Sequence, residues 1–261
     1  MSPALPHVVL LAAPPLGTAA WHDVARRLEH HGLTTTIPDL FSPEHARLLS
    51  SDGPEALIDA LAPLVEGACL VAHGQANPLA LHLARRASLR LLVLSNGPVA
   101  RIDPITRTVS RLARMPGAPV WARPSIVRPL LASSAALRRL VVNPYVMDRD
   151  MVARVTESWT ADGPRRTAVT RWLRALPALT ATAPAPTGPT LLVWGDEDIL
   201  YPAHVADEAA GLHPDIEHVR VPGGRHLHPI ERPWELADAI AARLGSTENH
   251  PNHDSNVAIS E

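Results

Sequence analysis

The sequence has 261 residues, of which 46% are apolar, so it can form one large domain, or a core with a cap. Its formal net charge of −2 gives no reason to expect nucleic acid or an anionic membrane as a partner, and its single cysteine, Cys69, excludes an intrachain disulfide. No leader-like segment opens the sequence, and no apolar run approaches the ~18 residues of a membrane span. These features predict a cytoplasmic protein.

Six short segments, most of them apolar runs, are bounded by turn-forming residues, which is typical of strands. The predicted strands are Val8–Leu11, Thr34–Pro38, Cys69–Ala72, Leu89–Leu94, Thr190–Trp194 and Glu217–Val221. Segments with helical spacing lie between and after them, namely Trp21–His31, Pro54–Val65, Pro78–Arg86, Pro202–Gly211 and Pro233–Leu244. Strands that alternate with helices predict an α/β fold with a mainly parallel, doubly wound sheet.

The middle of the chain differs from this pattern. Residues 99–187 are rich in arginine and proline, contain helical patterns and show no convincing strand, so we predict a helical cap that ends in an Ala/Thr/Pro linker at Thr180–Pro189. The core is then formed by residues 1–98 and 188–245. The polar tail, residues 246–261, is predicted to be disordered, and its His250 and His253 are too weak a pattern to predict a metal site.

The third strand breaks abruptly into small residues, Ala72-His73-Gly74-Gln75-Ala76, before a helical pattern. The nucleophile elbow G-x-S-x-G places a serine on such a strand-to-helix turn. Here the central position is Gly74, which has no side chain to attack a carbonyl. Glycine tolerates strained backbone geometry, so we expect the turn to persist with a small void at this position.

Four segments carry a family resemblance, in this order: "LLAAPPLG" through "IPDL", "LVAHGQAN", "LLVWGDEDILYP" and "VPGGRHLHPIERPWELADAI". Over roughly residues 5–245 the chain resembles the α/β-hydrolase superfamily, in its capped esterase and haloalkane-dehalogenase-like branch. The resemblance implies an α/β-hydrolase fold with an inserted helical cap. It also implies a catalytic acid at Asp198 and a catalytic histidine at His226.

These two residues are 28 positions apart, which leaves room for one helix and one strand between them. We therefore expect both side chains on loops at the carboxyl edge of the sheet, with Asp198 orienting the His226 imidazole as a base. The alternative is a pair that only holds two loops together. His228 is predicted to line the site or lie at the surface, and His73 to pack in the interior.

The loop that would form the oxyanion hole departs from the family pattern. The HG-x-P loop aligns as Ala12-Ala13-Pro14-Pro15, so the position that normally donates a backbone N–H to the oxyanion hole is Pro14, which has none. A register shift by one residue would move this donor to Ala13. The N–H of Gln75 is the expected second donor, and Ser95 and Asn96 are candidate lining residues.

We interpret the chain as an enzyme without a serine nucleophile. His226 and Asp198 would perform acid–base chemistry on a small, largely apolar molecule by elimination, addition, cyclisation or direct water attack, without cofactor or metal. One alternative is a non-catalytic pseudo-hydrolase that binds a ligand or partner. A third possibility is a hydrolase whose nucleophile lies elsewhere. Fold resemblance alone does not separate these hypotheses.

Overall fold

The computed structural model describes residues 6–49, 54–99, 103–211 and 214–248. A six-stranded, entirely parallel sheet forms its centre, with strand order β2-β1-β3-β4-β5-β6. The strands are β1 His7–Leu11, β2 Thr34–Thr36, β3 Cys69–His73, β4 Leu91–Ser95, β5 Thr190–Gly195 and β6 Ile216–Val221. Each predicted strand is present, with shifts of a few residues at the ends.

Helices cover both faces of this sheet. Those of the core are α1 His22–His30, α2 Pro43–Leu48, α3 Glu55–Val65, α4 Asn77–Arg86, α11 His204–Ala210, α12 His228–Glu231 and α13 Pro233–Glu248. Successive strand residues point to opposite faces, so Leu70 packs with α3 and α4 whereas Val71 packs with α1 and α13. Burial of both faces explains why the central strands β1, β3, β4 and β5 read as largely apolar runs, whereas the edge strands β2 and β6 are partly exposed and contain polar residues.

The described residues between β4 and β5 contain helices and no strand. These helices are α5 Pro104–Arg114, α6 Ala118–Trp121, α7 Pro124–Leu131, α8 Ser134–Leu140, α9 Arg149–Thr160 and α10 Gly163–Ala181. Side chains of Asp103, Ser133, Asp148 and Asp162 accept hydrogen bonds from backbone N–H groups and so cap α5, α8, α9 and α10. Trp172 and Leu176 of α10 join the core cluster and anchor this helical layer to the sheet domain.

Two predicted boundaries were wrong. The linker prediction began at Thr180, but α10 continues to Ala181, and its last turn buries Thr180. The tail prediction began at Ser246, but α13 continues to Glu248; residues 249–261, with His250 and His253, lie outside the described part of the chain. None of the described helices is long and apolar enough to span a membrane. Cys69 is buried in β3, and burial raises the pKa of its thiol.

Candidate active site

The turn after β3 has the geometry of an elbow. Gly74 starts a 3₁₀ turn, Gly74–Ala76, that leads directly into α4, and its φ of +58° lies in the left-handed region that favours glycine. A Cβ added to Gly74 would stand 3.8 Å from Nε2 of His226 and 3.9 Å from the carbonyl oxygen of Asn96. The space beside Gly74 therefore accepts a side chain and faces the His226 ring.

His226 and Asp198 lie on the loops after β6 and β5, where the sequence placed them. Nδ1 of His226 is 3.0 Å from Oδ2 of Asp198, and both side chains are buried. Burial opposes ionisation of Asp198, but hydrogen bonds from His226, Asn96 and the N–H of Leu200 outweigh it, so the pKa of Asp198 lies below its usual value. An ionised carboxylate accepts the Nδ1 proton, which leaves Nε2 of His226 as the acceptor facing Gly74.

Asn96 is a structural support for this pair and does not line the cavity described below. Its Nδ2 donates to Oδ2 of Asp198 at 2.6 Å, and its Oδ1 accepts from the N–H of Gly195 at 2.8 Å. It is also the only non-glycine residue with positive φ, at 27°, in the described part of the chain. Its strained backbone and fully buried amide fix the acid loop next to the end of β4. Asn96 is absent from the lining of that cavity, but its carbonyl oxygen borders the space beside Gly74.

Ser95 is also buried, and it contacts two other buried histidines. Its Oγ lies 3.0 Å from Nδ1 of His73 and 2.6 Å from Nε2 of His228. Burial lowers the pKa of His73 well below its usual value and that of His228 to about 3, so both rings are neutral. The structure corrects the expected positions of Ser95 and His228: neither lines the cavity, and His228 is not at the surface.

A second buried network, which the sequence did not indicate, joins the elbow to the cap. Nε2 of Gln75 donates to the hydroxyl of Tyr201 at 2.7 Å, and the hydroxyl of Thr106 donates to Oε1 of Gln75 at 3.0 Å. Thr106 is also bonded to Asp103, the residue that caps α5. Burial and the nearby Asp103 carboxylate raise the pKa of Tyr201, so it remains a phenol. The ring of Tyr201 stacks on His226 with centroids 5.6 Å apart.

Comparison with known proteins identifies the fold. No family model matches the sequence, and no curated protein matches it. Three solved structures align over nearly the whole chain: an ancestral haloalkane dehalogenase, a loop variant of a haloalkane dehalogenase from Bradyrhizobium elkanii, and an esterase from Thermogutta terrifontis with bound malate. The respective TM-scores are 0.67, 0.69 and 0.60, with identities of 21%, 18% and 18%.

The ancestral dehalogenase aligns over 94% of this chain and 93% of its own. The corresponding coverages are 95% and 92% for the Bradyrhizobium elkanii variant, and 93% and 90% for the esterase. This chain has the α/β-hydrolase fold. The parallel sheet and the helical cap match that fold, as the sequence resemblance implied. Because these sequence identities are low, the similarity shows the fold and does not show the chemistry of this site.

In an α/β-hydrolase fold, the loop after β1 normally supplies one oxyanion donor. Here Pro14 and Pro15 line the cavity, and neither has a backbone N–H. Ala13 is buried in the core cluster and its carbonyl accepts from the N–H of Leu16, closing a turn. Gln75 follows Gly74 at the start of the 3₁₀ turn, where backbone N–H groups have no partner within the helix. Its N–H is therefore the expected second oxyanion donor.

An open cavity of about 400 Å³ lies between the elbow and the cap helices. Its floor contains Gln75, Tyr201 and His226, whereas its walls are apolar side chains of α5, α6, α7, α9 and α10. No lining residue in the described part of the chain is Ser, Cys, Asp, Glu or Arg. The site therefore combines one oriented imidazole with an almost entirely hydrocarbon environment.

Proposed function

We propose that this protein is an enzyme in which His226, oriented by Asp198, transfers protons on a small, uncharged and largely apolar substrate. The observation that carries the proposal is the hydrogen-bonded Asp198–His226 pair at the floor of an open apolar cavity. A pair that only held two loops together would need no such cavity. The neighbouring enzymes of the same fold, dehalogenases and an esterase, support an enzymatic role.

His226 acts in this proposal as a general base that later returns the proton as an acid. Nε2 accepts a proton from the substrate or from a water held beside Gly74, and the resulting imidazolium is stabilised by the ionised Asp198. The same proton, returned to a leaving group or to a carbanion, completes an elimination, an addition, a cyclisation or a direct attack by water. A positioned base contributes roughly 10²–10⁴ in rate, which suits an activated substrate.

Acyl transfer through a serine is the reaction that this site supports least. The elbow position is Gly74, and the described lining contributes no other hydroxyl, thiol or carboxylate nucleophile except the Thr170 hydroxyl and the Tyr201 phenol. The Thr170 hydroxyl donates to the carbonyl of Arg166, and the Tyr201 phenol is not ionised. The missing N–H at Pro14 further weakens stabilisation of a tetrahedral oxyanion.

The other two buried histidines are poor candidates for the base. Burial keeps His73 and His228 neutral, and both rings are engaged by Ser95. Neither contacts the cavity, whereas His226 lines it. His226 is thus the one histidine in the described lining that can exchange a proton with a bound molecule.

The test compares cells that produce the wild-type protein, His226→Gln or His204→Gln, with metabolite profiling of each extract. His204 is exposed on α11, so its substitution controls for the change of a histidine to glutamine. We expect a product that disappears, and a substrate that accumulates, only in the His226→Gln strain. Unchanged metabolites in that strain, together with the same small molecule retained by both purified proteins in native mass spectrometry, would instead support a ligand-binding pseudo-hydrolase.

A further inference from the structure

The mouth of the cavity is formed by large apolar side chains that are themselves exposed. Leu112, Trp121 and Leu130 line the cavity and have exposed fractions of 51%, 52% and 64%. Met115 and Val120, close to them in sequence, are exposed as well. Exposed apolar side chains that cluster in this way mark surfaces that contact a partner or a membrane. We call this surface, formed by α5, α6 and α7, the cap face.

The charge of the cap segment is opposite to that of the rest of the chain. Between Pro104 and Met147 the sequence has seven arginines and no acidic residue, whereas the whole chain has 24 basic and 26 acidic residues. The net charge of −2 is therefore the sum of a basic cap segment and an acidic rest of the chain. The composition alone, which gave no reason to expect an anionic partner, did not reveal this separation.

Three exposed arginines on or beside the helices that form the cap face have no ion pair among the described residues. Arg107 and Arg111 lie on α5, and Arg123 precedes α7. Some arginines elsewhere are paired, as Arg27 is with Asp238, so what distinguishes this segment is that its arginines have no acidic residue among them in the sequence. Unpaired cations around exposed apolar side chains are the combination found on surfaces that bind the interface of an anionic membrane.

We propose that the cap face docks on an anionic lipid surface. Arg107, Arg111 and Arg123 contact the headgroups, and Trp121 and Leu130 enter the boundary between headgroups and acyl chains. A second copy of this chain is disfavoured as the occupant, because a symmetric contact would bring the same unpaired arginines together. A nucleic acid is disfavoured because the centre of the patch is apolar.

Docking in this orientation opens the cavity toward the bilayer. An apolar molecule dissolved in the lipid can then reach His226 without crossing water, and this second step rests on the proposed function. The docking itself rests only on the cap face. The two ideas are separable, because vesicle binding is measured without substrate and the His226→Gln comparison without vesicles.

The experiment is co-sedimentation of the wild-type protein with vesicles of phosphatidylcholine alone or mixed with phosphatidylglycerol. We expect binding only to the anionic vesicles, and loss of binding at high salt. The triple substitution Arg107→Gln, Arg111→Gln and Arg123→Gln should weaken binding by roughly a hundredfold, about fivefold for each arginine. The control substitutes Arg26, Arg47 and Arg85, exposed arginines of core helices, and should bind like the wild type.

Two further measurements keep the proposal falsifiable if the triple variant does not fold. The tryptophan emission of the wild type should shift to shorter wavelength on anionic vesicles, and Trp121→Phe should remove most of that shift. Absence of wild-type binding to anionic vesicles, or equal losses in the triple variant and the control, would overturn the proposal. A dimer that Leu130→Ser dissociates would also overturn it, because a second copy would then cover the cap face.

Discussion

Nε2 of His226 faces Gly74 across a gap that a single side chain would fill. A Cβ at position 74 would stand 3.8 Å from that nitrogen, at ordinary van der Waals distance. On the other side of the ring, Nδ1 is held at 3.0 Å by Asp198. The His226 ring therefore has the orientation that would activate a nucleophile at position 74. Because Gly74 provides no nucleophile, Nε2 is available to a substrate or a water.

Activated esters should not form an acyl-enzyme with this protein. Gly74 has no nucleophilic atom, and no serine lines the described cavity. We expect no burst of p-nitrophenol from p-nitrophenyl esters and no labelling by a fluorophosphonate probe, measured by intact-protein mass spectrometry. Stoichiometric labelling of a serine that peptide mapping places in the cavity would contradict the interpretation of the elbow.

Substitution of His226 should abolish the native activity with little effect on folding. His226→Gln removes the base but retains a polar side chain of similar length, and we expect a loss of roughly 10²–10⁴ in rate with an unchanged circular dichroism spectrum. The metabolite produced in cells reports the activity, and His204→Gln is the control. Full activity of His226→Gln would exclude His226 as the base and leave the other two hypotheses, a ligand-binding role or a nucleophile elsewhere.

Asp198→Asn should impair both activity and stability. Although Asp198 lies on a loop, its carboxylate accepts from Asn96, His226 and the N–H groups of Leu200 and Tyr201. An amide at this position turns one acceptor into a donor that opposes the Asn96 and His226 donors. We expect the free energy of unfolding to fall by about 1–3 kcal/mol, measured by urea denaturation with His226→Gln as the comparison. Wild-type stability for Asp198→Asn would contradict the hydrogen-bond network described.

The sheet, the elbow and the His226–Asp198 pair were predictable because each depends on local sequence. Buried parallel strands read as apolar runs, and the order of the elbow, acid and histidine segments placed both side chains at one edge of the sheet. The sequence also indicated that Pro14 interrupts the donor loop, and Pro14 indeed lies at the cavity.

Contacts between distant segments were not predictable. Ser95 and Asn96 were expected in the cavity, but Ser95 bonds to the buried His73 and His228, and the Asn96 side chain bonds to Asp198 and Gly195. Gln75 contacts Thr106 through the position of α5, and Tyr201 through the loop after β5, and no motif in the sequence indicated either contact. Cap helices pack on each other through apolar surfaces whose pairing a single sequence does not reveal.

Stability should fall as the pH is lowered from about 7 to about 5. The unfolded chain takes up a proton on His228 near its ordinary pKa of 6.5, whereas the folded protein does not until its pKa of about 3. The unfolded state then binds more protons, so stability decreases toward acid, by at most about 1.4 kcal/mol per pH unit for one such histidine. The lowered pKa of Asp198 acts only below about pH 4.

Urea unfolding at both pH values measures this dependence. His228→Gln removes one titrating group and should flatten the pH dependence, and the exposed His204→Gln should leave it unchanged. An identical pH dependence in His228→Gln and the wild type would show that His228 is not buried as a neutral ring.

Restoring a hydroxyl at the elbow should create weak serine-type reactivity. Gly74→Ser places an L-residue at φ +58°, which costs about 1–2 kcal/mol, but the nearest atoms to the new Cβ are 3.8 Å away, so we expect the variant to fold. Its hydroxyl would lie within reach of Nε2 of His226 and should react slowly with a fluorophosphonate probe. Gly74→Ala carries the same backbone cost without the hydroxyl and should remain unlabelled.

The reactivity of Gly74→Ser should be limited by the missing oxyanion donor. Pro14→Ala adds a backbone N–H at the position where the fold normally supplies one, and such a donor is typically worth ~10²–10³ in rate. The double variant should therefore acylate faster than Gly74→Ser alone, whereas Pro14→Ala in the Gly74 background should stay inert, as followed by the mass increase over time. If a crystal structure of the double variant shows the new hydroxyl bonded to His226 and an activated ester still fails to acylate it, then Gly74 and Pro14 are not what separates this site from a serine hydrolase.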